Sequence, residues 1–299
     1  MAMEGIFGDV VTAMITPFKD DGSLDRDGVE VLVEYLLENG SDALVVSGTT
    51  GESPTLTNDE KLDLFELVVA AVKDNGRGKV IAGTSSYGTV ESVRLTAAAT
   101  EAGVDAILAV TPYYNKPPQR GLEAHFTAIA DVTDKPVMLY DIPGRTGTAI
   151  QLDTMRRLSE HPSIIGVKDA THDAAHVADV LAACGDDFEV YSGDDALTLP
   201  YLSVGARGVV SVAAHVAGSQ IAEMIRAYKD GDVASARKLH FELLDLFKVL
   251  FEDASPIPVK AAMRMAGLPA GPTRLPLPPI EEALEAKLAA VVSPFLEIA

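Results

Sequence analysis

The chain has 299 residues, 47% of them hydrophobic, and its 44 acidic against 24 basic residues give a net charge of −20. A chain of this length buries roughly three quarters of its unfolded surface, so its core needs no disulfide support. The negative charge repels nucleic acid and anionic membranes, which excludes both as partners. A single cysteine and an N-terminus without a leader pattern predict a cytoplasmic protein.

The acidic surplus is also typical of a halophilic surface. At molar salt, self-repulsion between surface charges is screened within about 3 Å. The composition therefore predicts a protein whose stability is greatest at high salt.

Eight short apolar runs rich in β-branched residues follow one another along the chain. Nearly continuous apolarity is typical of strands covered on both faces, so the runs predict parallel strands. They span residues 10–15, 43–46, 80–83, 106–110, 137–140, 164–167, 188–191 and 208–212.

Helical patterns separate these strands. Thr57 and Glu60 have the spacing of a capping box before an apolar stripe of helical period. Further helical stretches are predicted at 89–102, 120–132, 151–160, 173–184 and 195–204. Eight strands alternating with helices predict a closed (β/α)8 TIM barrel. The first strand is not followed by a dinucleotide fingerprint, which disfavours a doubly wound sheet.

After the eighth strand the pattern is helical only. It extends from about residue 219 to residue 292, with interruptions at the prolines of 256–258 and 269–279. We therefore expect a barrel carrying the active site over residues 1–217, and a C-terminal helical extension packed on it over residues 218–299.

The residues that follow the strands of such a barrel form its catalytic face. After the second strand, residues 48–53 combine glycines with hydroxyls, including Thr49 and Thr50. Backbone N–H groups of such a segment can approach an anion such as a carboxylate. By itself, the segment is more often an ordinary turn.

Tyrosines and an arginine follow the fourth and fifth strands. Tyr113 and Tyr114 come after strand four, and strand five ends at Tyr140, shortly before Arg145. A tyrosine moves protons at neutral pH only when hydroxyls or cations stabilise its phenolate. An arginine can hold a carboxylate bidentately. Because a protein of net charge −20 repels anionic substrates, a site for such a substrate needs a local cation. Rim tyrosines and a surface salt bridge are the plainer alternatives.

Lys168 ends the apolar sixth strand. An apolar site lowers the pKa of a lysine and so provides the neutral amine that attacks a ketone. Alone, such a lysine is usually a solvated cap. Here, chemically reactive residues also follow several other strands, and together they favour a class I aldolase-type lyase that forms a Schiff base.

Neither a metal nor a cofactor is expected. His172 and His176 have a spacing that can bind zinc, but the sequence provides no third ligand beside them. We therefore predict solvent-exposed histidines.

Several motifs in fixed order cover nearly the whole chain, and together they resemble the dihydrodipicolinate synthase and N-acetylneuraminate lyase family, the synthase branch in particular. The motifs occupy residues 15–18, 48–52, 111–115, 140–147, 166–170, 191–195, 208–212 and 256–260. The resemblance implies condensation of pyruvate with L-aspartate 4-semialdehyde, the first committed step of diaminopimelate and lysine biosynthesis. It also implies a homotetramer built from two tight dimers.

The resemblance further implies roles for individual residues. Lys168 forms the Schiff base, and Tyr140 is the general acid and base, coupled to Thr49 and to Tyr114 from a neighbouring subunit. The remaining implied residues bind substrate: Thr50 and the backbone at Val210 for pyruvate, Arg145 for the carboxylate of the aldehyde, and Gly193 as a further contact.

Some members of the family are inhibited by lysine at a dimer interface. Tyr113 and Glu91 match that effector site, but Asn58, Lys61 and Tyr87 replace the two histidines and the asparagine of the sensitive bacterial type. The ammonium group of a bound lysine would meet Lys61, so weak or absent inhibition is predicted.

Two alternatives remain open at this point. A sister aldolase for 2-oxo-3-deoxy sugar acids or sialic acid would share the lysine, the tyrosine and the barrel. Those enzymes usually lack an arginine at the position of Arg145, and the sialic acid lyases read Gly-Ser-Thr-Gly-Glu where this chain has Gly-Thr-Thr-Gly-Glu. A non-catalytic anion-binding barrel is the second alternative, but it would have no use for an imine-forming lysine.

Overall fold

The computed structural model describes residues 5–296, and its eight parallel strands close into a single barrel in chain order. The strands are β1 (Val10–Ala13), β2 (Ala43–Val46), β3 (Val80–Gly83), β4 (Ala106–Val110), β5 (Val137–Asp141), β6 (Ile164–Asp169), β7 (Glu189–Ser192) and β8 (Gly208–Ser211). Because β1 pairs with β8, the predicted TIM barrel is confirmed and an open doubly wound sheet is excluded.

Helices cover the barrel and continue after it. They are α1 (Arg26–Glu38), α2 (Asn58–Asn75), α3 (Thr89–Glu101), α4 (Gln119–Ala130), α5 (Pro143–Thr146), α6 (Leu152–Ser159), α7 (Ala174–Cys184), α8 (Thr198–Leu202), α9 (Ala214–Lys229), α10 (Val233–Val249), α11 (Ile257–Met265) and α12 (Glu282–Leu296). The predicted capping box begins α2, where Thr57 and Glu60 satisfy each other's backbone N–H groups. In residues 5–296, no helix is both long and apolar enough to cross a membrane.

Two apolar layers explain why the strands read as continuous hydrophobic runs. Alternate strand residues point into the barrel or out toward the helices, as the two-residue period of a strand requires. On β1, Val11 belongs to the inner cluster, whereas Val10 packs in the outer layer with residues of the helices. Tyr140 belongs to the inner cluster, and Lys168 is its register partner on β6.

The C-terminal helices begin earlier than the sequence predicted. Helix α9 starts at Ala214 and bends at Ala217, where φ is −133° and the backbone leaves the helical region. Pro258, which was expected to interrupt a helix, lies instead in the first turn of α11, where a missing N–H costs no hydrogen bond. The division of the chain at residue 217 stays a prediction.

The predicted helix at 195–204 also differs from what is observed. It consists of a 3-10 turn over Asp195–Leu197 followed by the five residues of α8. The carboxylate of Asp195 accepts hydrogen bonds from the Val212 and Ala213 N–H groups, directly after β8. These bonds hold the 3-10 turn in place, which accounts for the break in the helix.

Candidate active site

Lys168 and Tyr140 form the floor of a cavity at the carboxyl ends of the strands. The Lys168 Nζ lies 4.2 Å from the centroid of the Tyr140 ring. Both residues are buried, and Lys168 is 6% exposed. Because β5 and β6 are adjacent, their register alone brings the amine and the phenol together. The cavity has a volume of about 260 Å³, which is room for a small substrate.

The surroundings of Lys168 favour its neutral form. The pKa of its amine is lowered to about 8, chiefly by burial; the carboxylate of Asp195 opposes this shift and the cation of Arg145 adds to it. Within the described part of the chain, no carboxylate forms an ion pair with Lys168. The amine is therefore available to a carbonyl compound that enters the cavity.

Tyr140 is held as a protonated phenol. Burial raises its pKa to about 12, against the opposing effects of Arg145 and of a hydrogen bond with Thr49. A phenol in this state can donate its proton to an oxygen that develops negative charge, and the two neighbours stabilise the phenolate that remains.

The loop after β2 brings Thr49 and Thr50 to the same cavity. The loop is a tight turn in which the Glu52 N–H donates to the Thr49 carbonyl and the Ser53 N–H to the Gly48 carbonyl. Ser47 and Glu52 at its two ends have φ values of 58° and 57°, a left-handed conformation that is strained for residues other than glycine. Such strain is typical of functional loops.

Arg145 and Gly193 complete the wall of the cavity. Arg145 is exposed on the short helix α5, directly after β5, and its side chain reaches the cavity. Gly193 has no space for a side chain, because a Cβ there would lie 2.9 Å from the Asp169 carbonyl oxygen. The close approach of this segment to the end of β6 therefore requires a glycine.

Two residues with implied roles lie apart from this cavity. Tyr114 is 93% exposed, has a positive φ of 70° and lines neither of the two cavities around Tyr140. Val210 is buried inside the barrel on β8, and its neighbour Val212 lines the cavity instead. The structure thus brings six of the eight implied site residues together in one cavity: Lys168, Tyr140, Thr49, Thr50, Arg145 and Gly193.

A second cavity of about 230 Å³ adjoins the first. Both are lined by Thr49, Tyr140, Arg145, Leu108 and Ile142, so these side chains form a shared wall. On its far side the second cavity is bounded by hydroxyl groups, Pro54 and the ring of Tyr113, whose pKa is raised by burial.

Three buried aspartates near the strand ends, among the described residues, received no role from sequence reasoning. Asp195 accepts hydrogen bonds from the Ser211 hydroxyl and from the Val212 N–H at 3.1 Å, and burial raises its pKa to about 6. Asp141 and Asp169 directly follow Tyr140 and Lys168 and point away from the barrel. Burial raises the pKa of Asp141 to about 7, and its carboxylate accepts from the Ile150 N–H. The signal was present in the sequence as an aspartate after each reactive residue.

The histidines follow the prediction only in part. His172 is exposed and lies 3.0 Å from Asp194, but the buried Nε2 of His176 lies 3.9 Å from Asp169, so this second histidine is not simply a solvated side chain. Within residues 5–296, no cluster of histidine, cysteine and acidic side chains has the arrangement of a metal site.

Comparison with known proteins places these features in a family. The model of the Dihydrodipicolinate synthetase family matches residues 6–294. A 4-hydroxy-tetrahydrodipicolinate synthase from Bacillus subtilis is 51% identical over 288 residues, which are 96% of this chain and 99% of the relative. A synthase of the same name from Thermosynechococcus vestitus is 50% identical over 96% of both chains.

Solved structures agree with the sequence comparison. A dihydrodipicolinate synthase from Bacillus anthracis superposes with a TM-score of 0.94 at 49% identity, covering 96% of this chain and 98% of the other. The enzyme from Cyanidioschyzon merolae, crystallised with lysine bound, has a TM-score of 0.94 at 47% identity with the same coverage. The chain belongs to the dihydrodipicolinate synthase family.

Proposed function

We propose that this protein condenses pyruvate with L-aspartate 4-semialdehyde to give 4-hydroxy-tetrahydrodipicolinate, through an imine on Lys168. The observation that carries the proposal is a buried lysine without an ion-pair partner, facing a cavity beside a protonated tyrosine. Relatives about half identical over nearly their whole length bear the name of this reaction.

The first half of the reaction attaches pyruvate to the enzyme. The neutral amine of Lys168 attacks the ketone carbon, and Tyr140 donates its proton to the hydroxyl that leaves as water, so that an imine forms. Thr50 and the backbone near Val210 bind the pyruvate carboxylate. The Tyr140 phenolate then removes a proton from the methyl carbon, which restores the phenol and gives the enamine, the carbon nucleophile.

The second half joins the two substrates and releases the product. The enamine carbon attacks the aldehyde of the semialdehyde, and Tyr140 protonates the new alkoxide with Thr49 as its relay. The amino group of the bound chain then attacks the imine carbon, displaces Lys168 and closes the ring. One water is lost overall, and the enzyme needs no cofactor for these steps. Arg145 holds the carboxylate of the aldehyde substrate bidentately.

The proposal extends to assembly and environment. Tyr114, almost fully exposed in its own chain, fits a residue donated to the relay of a neighbouring subunit in a homotetramer of two tight dimers. The net charge of −20 supports adaptation to molar salt, and the single cysteine supports a cytoplasmic protein. Unfolding curves in dilute buffer and in multimolar KCl test the salt adaptation, which maximal stability in dilute buffer would contradict.

Borohydride trapping followed by an activity comparison tests the function. Intact-mass analysis after incubation with pyruvate and borohydride should show one pyruvate-derived adduct, and peptide mapping should place it on Lys168. The same preparation should turn over L-aspartate 4-semialdehyde and not a 2-oxo-3-deoxy sugar acid. An adduct with turnover of the sugar acid instead would identify a sister aldolase, and no adduct would overturn the mechanism.

A further inference from the structure

We infer that Glu52 and Lys260 are positioning residues, through which the C-terminal helices hold the loop of Thr49 and Thr50 in the geometry that binds pyruvate. The inference rests on the proposed function, because the roles of the two threonines belong to it. The supporting observations concern the ion pair itself, the backbone of the loop, the ring of Phe18 and the lining of the cavities.

Glu52 and Lys260 form a fully buried ion pair. Their side chains are both 0% exposed, and the Lys260 Nζ lies 2.6 Å from the Glu52 Oε1 although the residues are 208 positions apart in sequence. The same Nζ donates to the Pro272 carbonyl at 2.8 Å. The second carboxylate oxygen of Glu52 accepts from the Arg274 backbone N–H at 2.8 Å. Both oxygens of Glu52 are therefore held by the C-terminal part of the chain.

On the loop side, the backbone of Glu52 is tied to Thr49. The Glu52 N–H donates to the Thr49 carbonyl at 3.1 Å, and the Thr16 hydroxyl donates to the carbonyl of the intervening Gly51 at 2.7 Å. Glu52 has a left-handed φ of 57°. A side chain fixed on both oxygens can hold a backbone in this unfavourable conformation, and the orientation of Thr49 and Thr50 follows from it.

Phe18 connects the same groups from the loop that follows β1. The Lys260 Nζ lies 4.2 Å and the Arg274 Cζ 4.1 Å from the centroid of its ring. Cations over a buried aromatic ring are stabilised most when water is excluded. Arg274 also donates to the Thr55 carbonyl and pairs with Glu60, which fixes the chain beyond the catalytic loop.

These residues act on the site only through the loop. Neither Glu52 nor Lys260 lines either of the two cavities around Tyr140, so substrate bound there would touch neither. Arg145 lies on α5, after β5, and within residues 5–296 it makes no hydrogen bond to this network. Loosening the ion pair should therefore affect pyruvate more than the aldehyde.

The test compares the variants Lys260→Met, Glu52→Gln and Arg264→Met with the unmodified protein. Arg264 is the matched control: it is also a cation on α11, four residues further, but it donates to the Gly271 carbonyl and not to the loop. Folding is checked first by circular dichroism. The measurements are the pyruvate concentration that half-saturates borohydride trapping, and kcat/KM for each substrate.

We expect Lys260→Met to raise the half-saturating pyruvate concentration about tenfold, since small displacements of a positioning group cost one to two orders of magnitude. kcat/KM for pyruvate should fall more than kcat/KM for the aldehyde, whereas a mere loss of folded protein would lower both equally. Glu52→Gln keeps an acceptor for the Arg274 N–H, so it should move pyruvate binding less, in the same direction. If Lys260→Met does not fold, the pyruvate binding of Glu52→Gln alone tests the inference.

Two results would overturn the inference by itself: folded variants at Glu52 and Lys260 that bind pyruvate as the unmodified protein does, or an equal effect of Arg264→Met. Failure of the unmodified protein to form any adduct would instead overturn the proposed function, and this inference with it. The two failures are therefore distinguishable in a single set of experiments.

Discussion

Two lysines are buried within residues 5–296, and their surroundings are opposite. Lys168, at the end of β6, faces a cavity and a tyrosine ring, whereas Lys260, on α11, is enclosed by a carboxylate, a carbonyl oxygen and Phe18. Burial lowers the pKa of both to about 8, although Glu52 opposes the effect at Lys260. The pKa therefore does not distinguish the two.

The difference lies in what the nitrogen can reach. A nucleophile needs an uncommitted lone pair and space for the incoming carbonyl, and only Lys168 has both. The Lys260 nitrogen is engaged in two hydrogen bonds at 2.6 and 2.8 Å. A buried lysine that faces a cavity can react with a substrate, whereas a buried lysine that is paired with a carboxylate has a structural role.

The strongest test of this comparison is Lys168→Met. Without the amine no imine can form, so turnover should fall by at least about a thousandfold. The free energy of unfolding should stay unchanged or rise, because a buried cation without an ion-pair partner is removed. Intact mass after borohydride and a denaturant titration measure the two effects. A persistent adduct mapped to Lys260 would break the comparison.

Lys260→Met should have the opposite profile in stability. It leaves the Glu52 carboxylate buried without its cation, which typically costs 3–5 kcal/mol, so we expect a loss of about that size in denaturant unfolding. The double variant Glu52→Gln with Lys260→Met removes both charges and should regain most of the loss. A single variant as stable as the unmodified protein would show that Lys260 is not a structural cation.

The pH dependence of trapping sharpens the distinction for Lys168. Its folded pKa of about 8 lies below the ordinary 10.5, and the reactive species is the neutral amine. The rate of pyruvate trapping should therefore rise about tenfold per pH unit below pH 8 and level off above it. A midpoint near 10.5, the unperturbed lysine value, would contradict the effect of burial at this site.

The smallest expected effect concerns Lys61, a third lysine whose side chain is only half-buried. Burial lowers its pKa, and the carboxylate of Glu91 opposes that shift. Glu91 is also engaged by Asn58, so the anion that a bound lysine would require is already partnered. Sub-millimolar L-lysine should leave the reaction rate unchanged. Strong inhibition would refute this, and Lys61→Met should increase sensitivity if the cation at Lys61 is what excludes the effector.

The sequence predicted the barrel well, because eight buried parallel strands carry a strong local signal. Every predicted strand overlaps an observed one with ends within two residues, since each consists of residues apolar on both faces. The cavity was predictable for the same reason: once the strands are placed, their carboxyl ends converge. Tyr140 and Lys168 met as expected.

Contacts between distant segments were not predictable from local patterns. The motifs around Phe18, Glu52 and Lys260 were evident in the sequence, but only the fold shows that they join in one buried network. The start of α11 was missed because a proline within the first turn resembles a helix breaker. The aspartates after Tyr140 and Lys168 were overlooked because neither lines the catalytic cavity.

The wall between the two cavities bears on how this barrel could acquire new substrates. Leu108 and Ile142 stand in that wall beside Tyr140 and Arg145, whereas Thr50 lines only the first cavity. Shortening either side chain would open the neighbouring space to a bulkier electrophile without touching the amine or the phenol. Apart from Tyr140, the wall and the catalytic pair are thus formed by different side chains, so evolution or design can change the space for the second substrate and keep the amine and the phenol.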